Sequence, residues 1–122
     1  LSGIPTLFTT IKSDQESFDI CLALSLIDKD EDIINQFSTG FLRVKGFKND
    51  QHKVYRIEFQ PVNINVSKGS KLRLSMSASA WPAIGVNPGF DCKQCGPVTI
   101  NHQIITLNFD LSKTIMKINP FF

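Results

Sequence analysis

The chain has 122 residues, a formal net charge of +2, 42% hydrophobic residues and an aromatic set of ten Phe, one Trp and one Tyr. That is the size of one domain, with apolar content for a core that needs neither disulfides nor metal. The lysines and arginines are scattered rather than clustered, which leaves no basis for a nucleic-acid or anionic-membrane partner, and no apolar run approaches the roughly 20 residues of a membrane span.

Leu1-Ser2-Gly3-Ile4-Pro5 places no basic segment ahead of an apolar one, so it does not read as a signal peptide. Without an initiator Met it reads as a start in mid-sequence, and the expectation is a piece of a larger protein. Three cysteines, an odd number, do not make a secreted disulfide framework and point to reduced thiols in the cytoplasm.

A first strand is expected over residues 6–11, rich in Thr, Leu, Phe and Ile. The next is sharper. Phe18, Ile20, Leu22, Leu24 and Leu26 alternate with Asp19, Cys21, Ala23, Ser25 and Ile27, and a period of two puts the five large residues on one buried face. Asp28-Lys29-Asp30-Glu31-Asp32 could suggest calcium, yet it has no Gly for the sharp turn of an EF-hand loop and joins strands, so it reads as a solvated hairpin tip. Further strands are expected over residues 33–37, 41–45 and 54–59. Val62, Ile64 and Val66 alternate with asparagines ahead of Ser67-Lys68-Gly69-Ser70, a turn in which Gly69 supplies positive φ. Leu72, Leu74, Met76, Ala78 and Ala80 then repeat the pattern of period two. The connection from Trp81 to Gly96 is long, and loops of that length are usually functional or interfacial. Ile105, Leu107, Phe109 and Leu111 alternate again, and residues 115–118 make a last short strand. With no helical periodicity, the expected fold is an all-β antiparallel sandwich or jelly roll in a single domain spanning residues 1–122.

Catalytic chemistry is hard to find. No G-x-S-x-G elbow occurs, and His52 and His102, the two histidines, stand apart from any nucleophile or acid pattern. Cys92-Lys93-Gln94-Cys95 is the one C-x-x-C. Structural zinc wants four ligands and no second pair completes the set, so Cys92 and Cys95 read most simply as free thiols, with a loop disulfide or a metal left open. Arg43, Lys45, Phe47 and Lys48 are too few for a single-strand nucleic-acid surface at this net charge. No catalytic, cofactor or metal residue is assigned.

The stretch from Gln60 through Pro82 is the most specific in the chain. Pro61 precedes a strand, Gly69 makes a turn, Arg73 sits in a Ser-rich strand with Ser77 and Ser79, and Trp81-Pro82 and then Asn87-Pro88 follow. In this it closely resembles the C-terminal non-catalytic domain of the X-Pro dipeptidyl-peptidase, cocaine esterase and α-amino-acid ester hydrolase family of serine hydrolases. Gly3-Ile4-Pro5, residues 18–27 and Ser38-Thr39-Gly40-Phe41-Leu42-Arg43 are similar to other parts of that domain, so the resemblance covers nearly the whole chain. Two departures stand out: Asp30-Glu31-Asp32 replaces the usual Asp-Gly hairpin tip, and the Cys92/Cys95 loop has no counterpart.

The resemblance implies a jelly-roll sandwich similar to galactose-binding-type domains, packed on an α/β-hydrolase catalytic domain that carries the Ser, Asp and His upstream of Leu1. It implies one or more strands ahead of Leu1 as well, and without them an open sheet edge that would favour a homo-oligomer. No residue of this chain inherits a triad role and no cofactor is expected. Trp81, Pro82, Asn87 and Pro88 are the interface candidates, and Arg73 is expected to partner a buried acceptor. The competing reading is a carbohydrate-binding or protein-interaction sandwich module, weakened by a single Trp and a single Tyr for sugar stacking.

Overall fold

A computed structural model of the protein describes residues 1–30, 33–45, 52–79, 89 and 104–121. Seven strands and no helix are found among them: β1 (Ser2–Ser13), β2 (Phe18–Ile27), β3 (Ile34–Val44), β4 (Lys53–Glu58), β5 (Val62–Asn63), β6 (Lys71–Ser77) and β7 (Leu107–Asn119). They form two antiparallel sheets. In the first, β1 is flanked by β4 and β7, so that Leu7 lies between Ile57 and Met116, and β5 pairs with its start. In the second, β2 runs between β3 and β6. Leu7 and Ile11 from one sheet meet Phe18, Ile20, Leu22 and Leu24 from the other, with Ile57 and Phe59 closing one side. The expected β-sandwich is the observed architecture.

β2 has the expected bounds, and Phe18, Ile20, Leu22 and Leu24 lie in the core as their alternation requires, while Leu26 near the strand's end is only half-buried. Asp28 begins the hairpin to β3. Its N–H donates to the Ile33 carbonyl at 3.1 Å, and its Oδ1 accepts the Ile33 N–H at 3.2 Å. The acidic stretch thus opens as a hairpin tip, with Glu31 and Asp32 outside the described residues.

Three expectations about strand extent are corrected. The two strands expected over residues 33–37 and 41–45 are one, β3 (Ile34–Val44), which runs straight through Ser38-Thr39-Gly40. Gly40 is not a break here: a Cβ on it would stand 3.2 Å from the Glu58 carbonyl, so the position serves a close approach of β4. Ser38 Oγ donates to the Gln60 carbonyl at 2.8 Å and ties the two sheets at the same corner. The two last strands are likewise one, β7, whose register shifts opposite Thr9. There Thr114 Oγ1 donates to the Asp110 carbonyl at 2.8 Å and hydrogen-bonds Thr9 Oγ1 at 2.9 Å, so the irregularity is held by hydroxyls rather than ending the strand. Finally, only Val62 and Asn63 of the alternating 62–66 stretch are strand, after which Ile64 exchanges backbone bonds with Leu1 at 2.8 and 2.7 Å.

Pro5 lies inside β1, a position that usually argues against a central strand. Its carbonyl accepts the Phe59 N–H at 2.9 Å, and its missing donor falls where β1 changes partner from β5 to β4. Two glycines are required by conformation. Gly69 has φ +88° in the turn closed by Ser70 N–H to the Ser67 carbonyl, as expected. Gly3 has φ +149°, and an added Cβ would come 2.3 Å from the Asn119 carbonyl. Gly3→Ala is expected to cost about 2–3 kcal/mol by strain and loss of the β1–β7 end pairing. Urea unfolding followed by circular dichroism checks it, and an unchanged midpoint would refute this account of Gly3.

Candidate functional site

Because side chains alternate, the residues of β2 between its core positions face outward: Asp19, Cys21, Ala23 and Ser25. The registers set partners on either side of three of them. Ala23 lies between Thr39 and Ser75, Cys21 between Phe41 and Ser77, and Ser25 between Gln36 and Arg73. They leave a hollow of about 330 Å³ on the outer face of the second sheet, lined in part by Cys21, Ala23, Gln36, Thr39, Ser75 and Ser77, with Phe41 on one side. It has depth, since Cys21 in its floor is 8% exposed.

At one end of the same face, Asp19 and Arg43 are direct cross-strand partners. The Arg43 Nε and Nη2 each donate to one oxygen of Asp19 at 2.8 Å, a bidentate pair, and the Asp19 side chain is 1% exposed. Hydrogen bonding to Asp19 raises the Arg43 pKa above its ordinary value and fixes the charge. The guanidinium carbon also lies 5.6 Å from the Phe41 ring centre. Desolvation by burial and then the Asp19 charge push the Cys21 thiol up, against a smaller lowering by Arg43. Cys21 is therefore a neutral thiol at neutral pH and a poor nucleophile.

No histidine is among the described residues that line the hollow. His52 is exposed. Among the described residues no group of three His, Cys, Asp or Glu is placed to hold a metal. The interface candidates Trp81, Pro82, Asn87 and Pro88, the Cys92/Cys95 pair and His102 lie outside the described residues. Arg73 corrects an expectation. It is exposed, its side chain makes no hydrogen bond or ion pair among the described residues, and Arg43 is the arginine that meets a buried acceptor. The alternation along β2 could not reveal this, because Asp19 sits where a solvated residue is expected and is in fact buried.

The family model described as the X-Pro dipeptidyl-peptidase C-terminal non-catalytic domain matches residues 1–115. The chain belongs to this family. As an X-Pro dipeptidyl-peptidase C-terminal non-catalytic domain it is not itself the catalytic unit, and its class implies attachment to a catalytic domain in the same chain. Neither the curated proteins nor the solved structures give a match. Within this domain the Gly69 turn and the Ser77 region of β6 adopt the turn and strand that the resemblance led one to expect, and Ser77 Oγ closes a local turn by donating to the Ser79 carbonyl at 2.8 Å.

Proposed function

We propose that this domain is an accessory part of a serine hydrolase with an α/β-hydrolase catalytic domain, which it buttresses and whose substrate cleft it helps to wall. The reading rests above all on the family match over residues 1–115, which names a non-catalytic C-terminal domain. The Ser, Asp and His of the triad then belong to the catalytic domain. Trp81, Pro82, Asn87 and Pro88 form the contact with it: two prolines restrict the backbone, and Trp81 offers the broad rigid surface favoured at interfaces. We place the protein in the cytoplasm, where Cys21, Cys92 and Cys95 stay reduced.

Trp81→Ala in the full-length enzyme tests the cleft role. A fall of about tenfold in kcat/KM, equivalent to ~1.4 kcal/mol, is expected with little change in melting temperature. Unchanged turnover with a lowered melting temperature would show Trp81 to be a core plug and remove the interface reading.

A further inference from the structure

We propose that the hollow on the outer face of the second sheet is a binding site for a neutral ligand of one apolar ring bearing a neutral hydrogen-bonding group. It stands on the geometry of this chain and does not depend on the accessory role above.

The first argument is shape. The solvent face of an antiparallel sheet usually carries long polar side chains. Here Cys21, Ala23, Thr39, Ser75 and Ser77 adjoin on three strands, and the space they leave, about 330 Å³, lies at the lower end of ligand pockets of roughly 300–1,000 Å³. A cavity of about 150 Å³ already takes benzene, so one ring with a short substituent fits.

The second argument is charge. Neither a carboxylate nor a basic side chain lines the described hollow. The adjacent Asp19 and Arg43 are engaged with each other, and a charged ligand would lose its hydration with no countercharge to meet.

The third is hydrogen bonding. Ser77 Oγ is engaged in its own turn, while the side chains of Gln36, Thr39 and Ser75 make no hydrogen bond among the described residues. They supply neutral donors and acceptors at the edge of an apolar floor.

Cys21 in the floor reports occupancy. The full-length protein is treated with a small neutral thiol reagent at mildly alkaline pH, and modification of the Cys21 peptide is timed by mass spectrometry with and without phenylacetamide. The expected result is saturable protection, about tenfold slower once phenylacetamide exceeds its dissociation constant by about ten, with none from phenylacetate. Ala23→Leu, or Ser75→Leu at the exposed neighbouring position if the first variant does not fold, should abolish it. Three results would overturn the proposal. These are no protection by phenylacetamide up to its solubility, equal protection by phenylacetate, or a Cys21 that reacts only on unfolding because the enzyme's own chain already fills the hollow.

Discussion

Arg43→Ala is expected to destabilise the domain by about 3 kcal/mol, well beyond a typical surface substitution. Removing one partner from a buried ion pair typically costs 3–5 kcal/mol, because the other charge stays in a place that was built for two. The lower end applies here, since the Arg43 side chain is 25% exposed and water can reach part of the site. Arg43→Lys should recover only part of the loss, because an ammonium cannot make the two parallel bonds that Nε and Nη2 make to Asp19. The double variant Asp19→Val/Arg43→Leu should come closer to the parent than Arg43→Ala does, as it leaves no carboxylate behind. Urea titrations of the three variants give the answer. If Arg43→Ala shifts the midpoint no more than a typical surface substitution, the pair is ornamental and the argument fails.

Phe18→Ala should be at least as severe, at about 4 kcal/mol. Phe18 is 2% exposed, opens β2 and meets the Tyr55 ring edge to face at 5.9 Å, an orientation of 89°. Truncation loses the buried ring and leaves a void between β2 and β4 that the paired strands cannot close by moving. Phe18→Leu keeps most of the volume and should cost nearer 1–1.5 kcal/mol. Calorimetry of the pair would separate the two. Equal melting temperatures for the Ala and Leu variants would mean that the site collapses freely, contrary to this view of the core.

The fold was legible where one physical signal dominated. In β2 the alternation is strict and one face is apolar throughout, so its bounds and its core residues Phe18, Ile20, Leu22 and Leu24 followed directly, while Leu26 at its end is only half-buried. Elsewhere local chemistry misled. Gly40 and Ser38 read as a break because Gly and Ser favour turns, yet each answers a partner distant in sequence, the Glu58 backbone and the Gln60 carbonyl. Pro5 read as a boundary for the same reason, and only the change of partner along β1 explains why it is tolerated. The hollow was invisible to sequence reasoning because its lining is ordinary: Cys21, Ala23, Thr39, Ser75 and Ser77 become a site only when three strands bring them side by side. The family resemblance carried the accessory role.

The place of β1 between β4 and β7 also sets the order in which this domain can be built. On a ribosome β1 emerges ahead of the other six strands, and β7, which pairs with its second edge, follows about 100 residues later, roughly 5–20 s at usual elongation rates. The β2–β3 hairpin and then β6 can assemble in the meantime from neighbours in sequence, whereas β1 must wait with a free edge for β7. Long-range pairing of this kind slows folding, since the loop has to close before its contacts form. The interval leaves a strand with three Thr and two Ile open to pairing with another nascent chain, so yield of the native domain should depend on how crowded and how fast its synthesis is.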